Sequence, residues 1–300
     1  MNNYPLITVG ITSYREGEYL KNAWESLESQ SSNNWEAVMV LDGGADRKTR
    51  HIFETIKHPN LKKITQISNM GPYHCRTLAI ENVETPWYFH LDADDLLPQD
   101  SIKLVVEHIN KYPRMDYFWG KCLFFSEKKY SVEYVEEINH DLHARYNLVL
   151  GTSPLKISMF NELDGFHKEL MNGGADWEFW TRVLSHGNQG KFINKILYER
   201  RIHQNNVGDK WRLRHDKVAE IIIENNPDFF MKNNRKKECL GRSYELIARQ
   251  YRKMGNRKMA AEYAMKAENL NWVFSIKDSI IKERDMNFLR YYLRRLRLLY

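Results

Sequence analysis

Tyr88-Phe89-His90-Leu91-Asp92-Ala93-Asp94-Asp95 is an aromatic-rich apolar run that ends in three carboxylates. Its first half has the composition of a buried strand, and its second half delivers acid to the strand tip. Like charges repel, so carboxylates gathered at one point imply that a cation shares the site. Oxygen donors suit a hard divalent ion, which keeps positions open for phosphate oxygens. The alternative for the same residues is an acidic turn, with Asp95 capping a helix that begins near Pro98–Asp100.

The flanking sequence discriminates between these readings. Leu6-Ile-Thr-Val-Gly-Ile-Thr-Ser13 is a β-branched run bounded by Pro5 and by Tyr14-Arg15-Glu16-Gly17, and it predicts a buried strand. Residues 18–29 predict a helix with Leu20, Ala23, Trp24 and Leu27 on one face. Ala37–Leu41 is a second short strand, closed by Asp42-Gly43-Gly44. A helix over 46–56, a strand over 64–67, a helix opening at Gly71–Arg76 and a strand over Trp87–Leu91 follow. This alternation predicts an α/β domain, a mostly parallel sheet flanked by helices. Such sheets bind ligands beyond the carboxyl ends of their strands. Tyr14, Asp42 and Asp92–Asp95 all fall at those ends, which favours the cation reading.

Six short motifs occur along this stretch. They are Ile11-Thr-Ser-Tyr-Arg15, Leu41-Asp-Gly-Gly-Ala-Asp46, Asn69-Met-Gly-Pro-Tyr-His-Cys-Arg76, Asp92-Ala-Asp94, Ala175-Asp-Trp-Glu-Phe-Trp180 and Arg201-Ile-His-Gln-Asn-Asn206. In this order and spacing, over roughly residues 5–207, the chain resembles the family 2 inverting glycosyltransferases of GT-A (Rossmann-like) fold.

The resemblance implies a metal-dependent transfer of a sugar from a nucleoside diphosphate donor, UDP-linked, to a hydroxyl of a glycan, a lipid-linked glycan or a polypeptide. It places Thr12, Tyr14, Asp42 and Arg76 in the nucleotide pocket with Asp92 and Ala93, Asp42 facing a uracil imide. It assigns Mn²⁺ or Mg²⁺ to Asp94 and gives Asp92 the ribose or a metal-bound water. His203 is a further ligand in this scheme; a structural histidine is the alternative. Asp176, after the flexible pair Gly173-Gly174, is the expected catalytic base, and Trp177 and Trp180 line the sugar subsite. Ala175 departs from the family pattern, which has an acid there. The plain alternatives are a surface arginine for Arg76, core packing for Tyr14 and Trp180, and a helix cap for Asp176. A sugar nucleotidyltransferase shares the strand–helix plan but would carry a glycine-rich basic loop where Thr12–Glu16 stands. A non-catalytic binding module would have no need to keep Asp92, Asp94 and Asp176 together.

Charge divides the chain. Residues 1–210 hold 24 Lys and Arg against 28 Asp and Glu, a net of −4. Residues 211–300 hold 21 against 11, a net of +10. This predicts a transferase domain over 1–210 and a small basic, all-helical domain over 211–300. Within the latter, residues 241–274 match a single tetratricopeptide (TPR-like) pattern through Tyr244, Ile247, Ala248, Tyr251, Gly255, Ala260 and Ala267, with Trp272 at the usual proline. Such a hairpin fits packing within the chain or docking of a polypeptide or second copy. The basic amphipathic stretch 287–300 fits either an anionic membrane surface or a packed helix. No base-reading motif supports nucleic acid as a partner. Segment 126–150 reads as a long irregular loop bordering the acceptor. Cys75, Cys122 and Cys239 form neither a zinc nor a disulfide pattern and are expected as buried thiols. The chain shows no signal-like start and no membrane-length apolar run, which predicts a cytoplasmic protein.

Overall fold

A computed structural model describes residues 5–126, 130–203 and 212–272. The chain forms two compact units: Met1–Glu136 with Leu150–Met171 and Asn188–His203, and Glu137–Val149 with Asn172–Gly187 and Gln204–Tyr300. The expected helix over 287–300 lies outside the described residues.

The first unit contains β1 (Ile7–Ser13), α1 (Glu18–Glu28), β2 (Trp35–Leu41), α2 (Arg47–Thr55), β3 (Leu61–Thr65), α3 (Pro72–Ile80), β4 (Trp87–Asp92) and α4 (Ser101–Lys111). It continues with β5 (Tyr117–Phe125), β6 (Tyr130–Glu133), β7 (Leu155–Lys156) and β8 (Gly190–Arg201). The sheet order is β3-β2-β1-β4-β7-β5-β6, with β8 beside β5. β1 pairs in parallel with β2 and β4, as β2 does with β3 and β5 with β8. The pairs of β7 with β4 and β5, and of β6 with β5, are antiparallel. This is the mostly parallel, helix-flanked sheet that the alternation predicts.

Both faces of the central strands are covered, so β1, β2 and β4 are buried almost throughout, including Thr8 and Ser13 of β1 and His90 of β4. α1 supplies cover through Leu20, Ala23, Trp24 and Leu27, and α2 is started by Asp46, whose carboxylate accepts from the Thr49 amide at 2.7 Å. Register then sets the site: Thr12 lies beside Asp92, and Ser13 beside Leu41. The carboxyl ends of β1, β2 and β4 are therefore level, at the point where the strand order reverses, which is where open α/β sheets bind ligands.

Two local expectations give way. β3 covers 61–65, not 64–67, because its register is set by pairing with Ala37–Leu41, and Ile67 is left wholly exposed. Segment 126–150 is not one irregular loop. It holds β6, paired with β5, and a helical turn at His140–His143 capped by Asn139. A four-residue edge strand gets its identity from its partner, not from its own periodicity.

The second unit is helical over its described residues, with long helices at Ala175–Ser185, His215–Asn225, Arg235–Lys253 and Arg257–Asn269. The last two form a hairpin. Its core includes Glu178, fully buried and held by Arg182 at 2.8 and 2.6 Å. His143 and His215 are also buried, the latter bonded through Nδ1 to the Ser243 hydroxyl at 2.9 Å. Gly174 is packed, not loose: it has φ 88°, and a Cβ there would stand 2.5 Å from Val218. All three cysteines are buried and free. Among the described residues no helix is long and apolar enough to cross a membrane.

Two outcomes follow from this packing. Gly10 lies opposite His90, and a Cβ on it would stand 2.1 Å from the Tyr88 hydroxyl. Gly10→Ala is expected to destabilise the fold by about 1–3 kcal/mol through overpacking, seen as a lower urea midpoint. Burial also pulls His143 and His215 down to about 3 from the ordinary 6.5. Both are neutral in the fold but protonate in the unfolded chain below 6.5, so their contribution is complete above pH 6.5. It is lost as pH falls from 6.5 toward 3, at about 1.4 kcal/mol per pH unit for each group. Urea midpoints taken from about pH 7.5 to about pH 5 should fall accordingly, and less steeply in His215→Asn; an unchanged slope in that variant would contradict the assignment.

Candidate active site

β4 carries His90 and Asp92 to the level of Thr12, and α3 aims Arg76 at the same point. Pro72 at the start of α3 is pre-set for the first helical turn, so the helix begins directly after Gly71. The Arg76 guanidinium grips Asp92 through Nη2, at 2.6 Å to Oδ1 and 2.9 Å to Oδ2, and stacks on Tyr73 at 5.0 Å. Arg76 is 8 % exposed, so it is the buried partner of a carboxylate and not a surface arginine. His90 Nε2 meets Asp92 Oδ1 at 2.9 Å, and its Nδ1 meets the Tyr88 hydroxyl at 2.8 Å. Thr12 Oγ1 lies 3.4 Å from His90 Nε2, and the Asp92 amide donates to the Tyr198 hydroxyl at 3.0 Å.

The charges of this cluster are set by burial and by Arg76. Burial and then the Arg76 charge pull His90 down to about 4, so its imidazole is neutral at physiological pH. A carboxylate only accepts, so Nε2 carries the His90 proton toward Asp92 and Nδ1 receives the Tyr88 hydroxyl. For Asp92, burial alone would raise the carboxyl; the Arg76 and His90 contacts outweigh it and hold the group ionised, well below the usual range.

Beside this cluster, Asp94 Oδ2 and His203 Nε2 stand 2.9 Å apart. Tyr19 stacks on His203 at 5.4 Å, and Arg201 lies over the Tyr19 ring at 4.5 Å while its Nε donates to the Asp94 carbonyl. Glu16 adds negative charge; burial, with a contribution from Asp94, raises its carboxyl. An oxygen and a nitrogen donor this close can serve one divalent ion as neighbouring ligands, and the two side chains leave positions for phosphate oxygens. Among the described residues no set of three or more such side chains gathers to hold an ion alone. The donor set fits an ion completed by a substrate.

Asp95 takes neither role. It is 2 % exposed and accepts from the Arg201 amide at 2.8 Å, whereas α4 starts six residues later. Burial, then the neighbouring Asp94, raises its carboxyl well above the usual range. Asp42 is likewise buried, at 4 %, and accepts from the amides of Gly43, Met70 and Gly71 at 2.9, 2.9 and 3.0 Å. An imide would have to share an oxygen already engaged by backbone. Cys75 follows on α3; burial and then Asp42 push its thiol up to about 12, so it is inert. Tyr14 is half-buried beneath Arg15 at 4.6 Å, and Ala93 is buried.

In the second unit, Asp176 sits in the first turn of Ala175–Ser185, half-buried, and its Oδ2 accepts from Asn147 Nδ2 at 2.9 Å. The helix is capped by Gly174, not by this carboxylate. Trp177, expected to line a sugar subsite, is instead 4 % exposed: its indole donates to the His143 carbonyl at 3.0 Å and its ring packs on His215. Trp180 is 1 % exposed and fills the same core. Tyr19, Tyr88, His90 and Tyr198 lie outside the six motifs, and Arg201, at the head of the last one, carried no assigned role. A histidine inside the apolar run of β4 was the visible signal, since a buried imidazole demands partners.

The family model described as glycosyl transferase family 2 matches residues 8–164, more than half of the chain. Among characterised relatives, a teichoic acid poly(glycerol phosphate) polymerase of Staphylococcus epidermidis is 27 % identical over 203 residues. The match covers 64 % of this chain and 27 % of that protein, so the chain spans about a quarter of the polymerase's length. Among solved structures, residues 1–349 of S. aureus TarS in complex with UDP-GlcNAc align with a TM-score of 0.65 at 14 % identity, over 91 % of this chain and 94 % of that one. The mannosyltransferase PcManGT from Pyrobaculum calidifontis, in complex with GDP-Man and Mn²⁺, aligns with a TM-score of 0.53 at 16 % identity, over 98 % and 86 %. At such identities the structural likeness establishes the common fold. The family match establishes the enzyme class: this chain belongs to glycosyl transferase family 2.

Proposed function

We propose that the chain transfers a sugar from a UDP-linked donor to an acceptor hydroxyl, with inversion at the anomeric carbon. The observation that carries this reading is the pair of contacts at the level ends of β1 and β4, Arg76 on Asp92 and His203 on Asp94. One arm holds an ionised carboxylate for the nucleoside. The other presents a donor pair suited to a cation on the diphosphate. Thr12, Tyr14, Asp42, Asp92 and Ala93 form the nucleoside side of the pocket in this scheme. The UDP-GlcNAc complex of the TarS fold-mate supports the donor class, and the Mn²⁺ of PcManGT supports the use of an ion.

Bound Mn²⁺ or Mg²⁺ would be held by Asp94 and His203, with Asp92 beside them, and would neutralise charge on the departing diphosphate. The chain's own groups do the rest. Arg76 and His90 keep Asp92 ionised and oriented. Asp176 accepts the proton of the attacking hydroxyl as the bond from that oxygen to the anomeric carbon forms and the bond to phosphate breaks. Its role rests on the motif order, since it stands in the second unit with its carboxylate on Asn147.

The acceptor reading is a glycan, lipid-linked glycan or polypeptide hydroxyl. The relative named as a teichoic acid poly(glycerol phosphate) polymerase supports a polymer acceptor among these. Residues 1–210 act as the transferase domain and 211–300 as a basic helical domain, whose hairpin is read as one TPR-like repeat available to a partner or second copy. The stretch 287–300 would meet an anionic membrane surface.

With a UDP-sugar, transfer should require a divalent ion and stop with chelator. Asp176→Asn should lower kcat by about 10²–10⁴-fold while nucleotide binding persists. Asp94→Ala should abolish transfer and remove the ion-dependent part of the thermal shift produced by a UDP-sugar. Transfer undiminished in both variants would overturn the mechanism, and a larger thermal shift with GDP- or dTDP-sugars would overturn the donor assignment.

A further inference from the structure

Tyr88 and His90 have no place in the motif set, yet they are buried at 2 % and 1 % against the site. Gly10 makes room for them, because any side chain there would meet the Tyr88 ring. Their hydrogen bonds run in one direction, from the Tyr88 hydroxyl to His90 Nδ1 and from His90 Nε2 to Asp92 Oδ1. A carboxylate offers about four acceptor positions, two on each oxygen. On Oδ1 both are taken, by His90 and Arg76; on Oδ2 Arg76 takes one. One acceptor position is left. The backbone is held as well, since the Asp92 amide bonds to Tyr198.

We propose that Tyr88 and His90 are positioning residues for the nucleotide, fixing Asp92 so that its single remaining acceptor position meets a ribose hydroxyl. Arg76 alone could follow the carboxylate through a rotation, because it contacts both oxygens with one nitrogen. His90 removes that freedom by bonding only Oδ1, and Tyr88 holds the imidazole ring in the orientation that donates from Nε2. The effect expected is selectivity for the sugar hydroxyls of the nucleoside and not general affinity for its phosphates. The inference rests on the reading of Asp92 as the ribose contact.

The experiment is a calorimetric titration of the full chain with UDP, 2′-deoxy-UDP and 3′-deoxy-UDP. The wild type is expected to bind UDP about tenfold or more tightly than one of the two deoxy analogues. Tyr88→Phe and His90→Leu should weaken UDP by about five- to tenfold and leave that analogue nearly unchanged, so that the preference collapses. His90→Gln, whose amide can donate from the place of Nε2, should restore most of it. Urea midpoints of each variant separate loss of fold from loss of selectivity. A wild type that does not distinguish the analogues, or does not bind UDP, sinks the ribose reading and this inference with it. A wild type that does distinguish them, with Tyr88→Phe and His90→Leu keeping the preference or weakening all three ligands equally, sinks the inference alone.

Discussion

The pairing of the buried Arg76 with the half-buried Asp92 is the interaction on which the first unit's chemistry depends. A carboxylate removed from water at a strand tip is costly unless a cation and further donors meet it. Arg76 meets that demand from α3, and His90 adds a neutral donor from the same strand as Asp92. Three elements, β1, β4 and α3, are thereby tied at one point. Loss of Asp92 would leave the buried Arg76 guanidinium without its carboxylate, a larger penalty than the pair itself is worth. The same pairing keeps a negative oxygen in place where an anionic substrate would otherwise repel it.

Much of this was legible in the sequence. The strand–helix alternation, the turn residues and the acidic tip predicted the sheet and the edge on which the polar loops meet. Arg76, Asp92, Asp94 and His203 were each singled out, and the structure sets them in two pairs in the first unit. What could not be read was the division of labour among neighbours. Asp95 looks like a ligand in a string of letters, but a β8 amide occupies it, and Asp42 also binds the amides of Gly43, Met70 and Gly71. Backbone demands of this kind are invisible to motif matching because they depend on which loop passes nearby. Trp177 was misread for a related reason: an aromatic next to a candidate base suggests a sugar platform, whereas the helix buries that face.

The second unit shows how buried charge can serve packing alone. Glu178 with Arg182, and Glu245 with Arg242 at 3.1 Å, are paired carboxylates inside a helical core. Glu178 lies inside the Ala175–Trp180 motif but faces the helical core, and Glu245 lies outside every motif. Their presence cautions against taking every buried carboxylate as functional, and it sets apart the strand-tip cluster, where Asp94 and His203 remain partly open to solvent at 23 % and 19 %.

The Asp42 contacts carry a mechanical consequence. Asp42 fastens Met70 and Gly71, the last residues before α3, and α3 in turn carries Arg76. The end of β2 and the guanidinium on Asp92 are thus joined by about one and a half turns of helix. In the proposed reading, a base that competes for Asp42 would tug on the helix that orients Asp92. Recognition of the base and readiness of the sugar-holding carboxylate would be two ends of one lever.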